Sequence, residues 1–132
     1  MRYVDVNVLV YWLGDDPLFG KQATAIMGRI ENGEKALTSS LTLWLTHILL
    51  GALAKGYSEK EFIERIRRLV FLQVEPLLLQ DYEKALEFMQ TYKLDLEDAL
   101  HLATAVRKGV KEIYTNDVDF DRTPIKRIGF AL

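Results

Sequence analysis

The stretch LDLEDALHLATAVRKGVKEIYTNDVDFD, residues 94–121, sets a helix directly before a strand, and the fold follows from how that pair is used. Apolar and small residues recur at helical spacing from Leu96 to Lys108, and Gly109 stops the helix. Asp95 stands where an N-cap belongs, which puts Asp98 at the third helical position, where the helix dipole favours an ionised carboxylate. Glu112 to Thr115 then has strand composition. Directly after it, Asp117, Asp119 and Asp121 alternate along the chain.

Working outward, the same helix-then-strand alternation recurs. Arg2 to Val4 reads as a strand with Asp5 at its carboxyl end, and an apolar run from Asn7 to Leu13 ends at the breaker Gly14-Asp15-Asp16-Pro17. A helix is expected from Leu18 to Glu31, closed by Asn32-Gly33, then a strand over Lys35 to Thr38. The next helix, Leu41 to Lys55, is capped by Ser39 or Ser40 and places Leu41, Trp44, Leu45, Ile48, Leu49 and Ala52 on one face. Its wide apolarity predicts burial on two sides. Gly56 ends it, Ser58 and Glu61 have capping-box spacing, and Phe62, Ile63, Ile66, Leu69 and Val70 outline another helix. A strand near Phe71 to Val74, a helix carrying Tyr82, Ala85, Leu86 and Met89, and a last strand at Arg127 to Phe130 complete the order. This pattern predicts an α/β fold, a parallel sheet of four to five strands covered by helices on both faces, as a single domain over residues 1–132.

Composition narrows the function. At 132 residues and 49% hydrophobic content the chain can bury a real core. The absence of cysteine excludes disulfides, thiolate zinc sites and thiol nucleophiles, and fits a reducing, cytoplasmic setting. Met1-Arg2-Tyr3-Val4-Asp5 puts an acid where a signal peptide needs its apolar run, and no stretch reaches transmembrane length, so a soluble protein without membrane contact is expected. A formal charge of -2 argues against a strongly basic nucleic-acid coat.

In an open parallel sheet the ligand crevice lies outside the carboxyl ends of the strands. Asp5, Asp98 and Asp117 all belong there, although each has a plain local role as cap, helix-start acid or turn residue. Carboxylates gathered from distant positions repel one another unless protonation or a cation offsets the charge. Mg²⁺ or Mn²⁺ prefers oxygen ligands and keeps several waters, which leaves room for a phosphate and a nucleophilic water. That is the chemistry of phosphodiester hydrolysis.

Taken together, Val4-Asp5-Val6-Asn7, Asp98-Ala99-Leu100-His101-Leu102-Ala103-Thr104-Ala105 and Thr115-Asn116-Asp117-Val118-Asp119-Phe120 resemble a PIN domain, in particular the toxin-type (VapC-like) ribonucleases, over nearly the whole chain. The resemblance implies a doubly wound parallel sheet flanked by helices, an RNA substrate, a divalent-metal site of four acids, 5′-phosphate products, frequent dimers and often a cognate antitoxin protein. Asp5, Asp98 and Asp117 match three of those acids. The family usually places a glutamate early in the third helix, and here that place falls on Trp44 or Leu45. Asp95, Glu97 and Asp119 remain as compensating carboxylates, with Asp119 foremost because it follows Asp117 by two.

Two helical steps turn His47 roughly 200° from residue 45, so it is read as structural or solvent-facing. His101, one turn after Asp98, is likewise assigned no catalytic role. Lys55, Arg107, Lys108, Arg122, Lys126 and Arg127 could meet flanking phosphates, though most are expected to be solvated. Trp12, Trp44 and the tyrosines are read as core or interface rather than base-stacking residues. The apolar helix at Leu41 to Leu53 predicts a homodimer or an antitoxin-binding groove. Against the ribonuclease stands a degenerate, non-catalytic PIN module that binds RNA or a protein partner. A third reading, a phosphatase with Asp5 as nucleophile, fits poorly because Asn7 stands where such enzymes resemble one another in having a second aspartate.

Overall fold

The computed structural model describes residues 1–53 and 56–130. Five parallel strands form one sheet: β1 (Arg2–Val4), β2 (Ala36–Ser39), β3 (Leu72–Glu75), β4 (Glu112–Tyr114) and β5 (Lys126–Ile128). Their spatial order is β3-β2-β1-β4-β5. The chain winds outward from β1 to β3 and then restarts on the other side of β1, so the winding reverses between β1 and β4. Their register pairs Tyr3 with both Leu37 and Ile113.

Six helices connect these strands: α1 (Val6–Leu13), α2 (Gly20–Glu31), α3 (Ser40–Leu53), α4 (Glu59–Arg68), α5 (Leu79–Tyr92) and α6 (Leu96–Arg107). A 3-10 turn, Val118–Arg122, links β4 to β5. Side chains alternate across each strand. Val4, Ala36, Leu72 and Tyr114 face a core built with α1, α2 and α4, through Leu9, Trp12, Met27, Ile30, Phe62 and Ile66. Tyr3, Leu37 and Ile113 face the opposite core, built with α5 and α6 through Ala85, Leu100, Leu102 and Ala105. The sheet is therefore covered on both sides, as its parallel strands require. Among the described residues, no helix is long and apolar enough to cross a membrane.

Local chemistry sets the ends. Asp16 accepts from the backbone N–H groups of Leu18 and Phe19, which holds them in a turn and delays α2 to Gly20. Ser58 accepts from the Glu61 N–H at the start of α4, and Asp95 accepts from the Asp98 N–H at the start of α6. Gly109, with φ +71°, takes the left-handed conformation that lets the chain leave α6 and enter β4.

Three helices depart from what their apolar spacing suggests. In α3 the buried stripe is Thr42, Thr46 and Leu50, while Trp44, Ile48, Leu49 and Leu53 are exposed. Two polar threonines can face inward because Thr46 Oγ1 donates to the Thr42 carbonyl and the Thr42 hydroxyl meets the buried Tyr3 and His101. In α5, Tyr82 and Leu86 are exposed and the inward positions are Asp81 and Ala85, since Arg107 of α6 pairs with Asp81 and draws that face against α6. At the end of α4 the helix stops at Arg68, leaving Leu69 and Val70 beyond it, with Val70 in solvent. Lys55, counted above among the basic residues, lies outside the described residues.

Candidate active site

The carboxyl ends of β1 and β4 lie side by side where the winding reverses, tied by the Asp5 N–H donating to the Tyr114 carbonyl at 3.1 Å. A cavity of about 280 Å³ opens there, lined by Asp5, Asn7, Asp95, Glu97, Asp98 and Asp117 together with Val6, Val10, Tyr11 and Leu49. The three strand-end and helix-start aspartates singled out in the sequence thus face one space.

Each is placed by its own element. Asp5 follows β1 and caps α1: its Oδ1 accepts from the Val6 N–H at 2.7 Å, and its Oδ2 accepts from the Thr115 hydroxyl at 2.6 Å. Burial pushes this carboxyl above the ordinary carboxylate value, while the nearby His101 and the Thr115 hydrogen bond pull the other way. Asp98 is 6% exposed on the first turn of α6, and its carboxylate accepts no hydrogen bond from the described residues. Burial, then the charges of Asp95, Asp117, Asp5 and Glu97, push it up to about 8. Asp117 caps the 3-10 turn through the Asp119 N–H at 2.9 Å, and its own N–H donates to Thr115 Oγ1 at 3.0 Å.

Asp98, Asp117 and Asp119 can each offer a carboxylate oxygen within 4.8 Å of the others. Asp119 is half-exposed and also meets the Arg122 guanidinium at 3.0 Å. Asp5 shares the cavity from the β1 side but is not one of this tight trio. The donor set is all oxygen and excessively negative, which suits a hard divalent cation of the Mg²⁺ or Mn²⁺ type. Asp121 turns away to pair with Arg127, its Oδ1 2.9 Å from Arg127 Nε.

From α3, no acid reaches the cavity, because Ser40–Leu53 contains none. Trp44 is exposed and lies against His47, with ring centroids 5.5 Å apart. Leu45 is half-buried, and it is Leu49, one turn later, that lines the cavity wall. His47 Nδ1 lies 2.8 Å from the Tyr57 hydroxyl, a structural contact as expected. Of the basic residues, Arg107 and Lys108 are committed to Glu75, and Arg107 also to Asp81. Arg122 and Arg127 belong to the turn and strand next to the site.

Sequence reasoning passed over Thr115, whose hydroxyl both fixes Asp5 and receives the Asp117 N–H. A positional signal existed: Thr115 follows β4 as Asp5 follows β1, and the two strands are neighbours. Tyr11 and Leu49, which line the cavity beside the acids, carried no such signal.

These features define an α/β domain with an acidic crevice at its topological switch point. The PIN domain family matches residues 2–126, and the chain belongs to that family. Solved structures share the fold. Mycobacterium tuberculosis VapC20, described as a toxin cleaving the sarcin-ricin loop, superposes with a TM-score of 0.76 at 19% identity, over 92% of this chain and 93% of its own. A toxin-antitoxin complex from Klebsiella pneumoniae gives 0.70 at 22% identity, covering 97% of this chain and 96% of the other. VapBC2 of Rickettsia felis, bound to a DNA fragment from its promoter, gives 0.74 at 15% identity, over 99% and 100%. No curated protein sequence matches the chain.

Proposed function

We propose that this protein is a divalent-metal-dependent endoribonuclease, hydrolysing RNA phosphodiester bonds in the cytoplasm as the toxin of a toxin-antitoxin pair. Asp5, Asp98 and Asp117 hold Mg²⁺ or Mn²⁺, with Asp119 beside them. One observation carries the reading: a buried carboxylate, Asp98, sits among four other acids and, among the described residues, has no hydrogen-bond donor or cationic side chain against it. Such a site is stable at neutral pH with a proton or a cation on it. Membership of the PIN family and the likeness to toxin folds support the choice of a cation and of RNA.

When bound, the ion supplies Lewis-acid activation of water and neutralises phosphodiester charge. The chain's own residues do the positioning. Thr115 and the α1 N-terminus fix the Asp5 carboxylate, the Asp95 cap fixes the first turn of α6 beneath Asp98, and the 3-10 turn holds Asp117 and Asp119 together. Arg122 and Arg127 stand next to the site but are paired with Asp119 and Asp121, so a flanking phosphate would have to draw them from those partners. An antitoxin protein is the expected partner, by analogy with the complexes named above, and the exposed apolar face of α3 supports a homodimer.

Incubating RNA with the full chain across a Mn²⁺ titration tests the reading. Cleavage that needs the metal, leaves 5′-phosphate ends and disappears in Asp98→Asn with the fold intact is the expected result. RNA left whole at every metal concentration would sink it.

The acid-free α3 favours a second reading, a non-catalytic PIN module that binds RNA or a protein. Leu49→Glu separates the two, since Leu49 lines the cavity. Cleavage gained from a silent parent supports the binding module, and an active parent removes it.

A further inference from the structure

His101 is fully buried on α6, directly beneath the acids. Its Nδ1 lies 2.7 Å from the Tyr3 hydroxyl, itself buried at the centre of the sheet. Thr42 Oγ1 stands 3.5 Å from both. A phenol at that depth keeps its proton and donates it to Nδ1, which places the imidazole proton on Nε2. That Nε2 has no hydrogen-bond partner, although it is buried. It points into the gap between two carboxylates, 3.6 Å from Asp5 Oδ1 and 3.8 Å from Glu97 Oε1. A buried donor left short of a partner is costly, so its direction marks where a group is meant to settle.

The acids around the cavity differ in what already holds them. Asp95, Asp117 and Asp5 accept backbone N–H groups as caps, and Asp119 meets Arg122. Among the described residues, the Asp98 carboxylate accepts no hydrogen bond, and the donor facing Glu97 is His101 Nε2, at 3.8 Å. Glu97 sits one turn before His101, half-exposed, and lines the cavity. On the wall formed by α3, the chain offers Leu49 in place of an acid.

We propose that Glu97 is a cation-holding carboxylate of this site, standing on the Asp5 side where α3 contributes none, and that the His101 Nε2–H, forked between Glu97 and Asp5, is the positioning group that aims both. The inference rests on the cation site proposed above and adds to it a ligand and the group that orients it. Tyr3 fixes the imidazole, the imidazole fixes the two carboxylates, and the chain of contacts runs from the middle of the sheet to the cavity mouth. Outer groups of this kind tune metal affinity without touching the ion.

Calorimetric titration of the full-length protein with MnCl₂, with the fold of each variant checked by circular dichroism, tests this without any activity assay. Glu97→Gln, isosteric and half-exposed, is expected to weaken Mn²⁺ binding about tenfold or more, as is typical for groups that hold or aim a ligand. His101→Asn is expected to weaken it too, and the double variant to lose less than the product of the two single losses, because the histidine acts in part through the glutamate and in part through Asp5. Should His101→Asn not fold, Glu97→Gln decides alone. Wild-type affinity in Glu97→Gln, with binding lost in Asp98→Asn, would overturn this proposal and leave the cation site standing. Failure of the parent protein itself to bind Mn²⁺ would overturn both.

Discussion

Asp98 and Thr115 show what single residues contribute to the site. With its carboxyl pushed up to about 8 from an ordinary 3.8, Asp98 binds its proton more tightly folded than unfolded. The stabilisation that comes from this difference is complete below the unfolded value and is lost as pH rises through the folded one. In metal-free buffer the wild type is therefore expected to lose melting temperature between about pH 5 and 8, and Asp98→Asn, which mimics the protonated acid, to lose less. Parallel melting profiles for the two proteins would contradict the assignment. Adding MnCl₂ at pH 8 is expected to raise the wild-type melting temperature and leave Asp98→Asn unmoved. The sequence announced Asp5, Asp98 and Asp117 because strand-end and helix-start acids have fixed addresses in a parallel sheet. It was silent on Thr115, whose hydroxyl matters only once β1 and β4 are known to be neighbours.

At the level of elements, α5 and α6 are held together by a clamp as well as by apolar contact. Arg107, near the end of α6, reaches Asp81 through Nε at 2.8 Å and Nη2 at 3.0 Å, and Glu75 at the end of β3 through Nη1 at 2.7 Å. Asp81 is 1% exposed and its Oδ2 also accepts the Leu78 N–H that starts α5. Removing the guanidinium strands a buried charge, so Arg107→Met is expected to cost about 3 kcal/mol or more in urea unfolding. A loss typical of exposed ion pairs, below about 1 kcal/mol, would show that the clamp is ornamental. The clamp also sets which face of α5 turns inward. Tyr82, Ala85, Leu86 and Met89 recur at helical spacing, yet a buried ion pair puts Asp81 and Ala85 inside and leaves Tyr82 and Leu86 exposed, and no hydrophobicity pattern signals that. By contrast, all five strands and the helix order were legible, because β-branched and apolar runs bounded by Gly33, Gly56 and Gly109 leave few alternatives.

For the molecule as a whole, the unresolved energetic problem is α3. Thr42, Thr46 and Leu50 face inward, while four large apolar side chains are left outside: Trp44 is 61% exposed, Ile48 45%, Leu49 40% and Leu53 73%. Trp44 with Ile48, and Leu49 with Leu53, stand one helical turn apart, so these side chains form stripes rather than scattered spots. A chain that leaves such a patch to water gains by covering it with another protein surface, and a second copy offers the same patch in return. The expectation of burial on two sides is not met within the single chain, which buries one side of α3, and would be met only by association. Light scattering is expected to give twice the 15.2 kDa chain mass at micromolar concentration. Trp44→Lys combined with Ile48→Lys is expected to return the mass to that of one chain. Because both side chains are exposed within the single chain, the monomeric variant should keep its fold, with each change altering its intrinsic stability by no more than about 0.5 kcal/mol. A wild-type mass of 15.2 kDa at every concentration would assign the stripe to a different partner, and the antitoxin would then be the first to try.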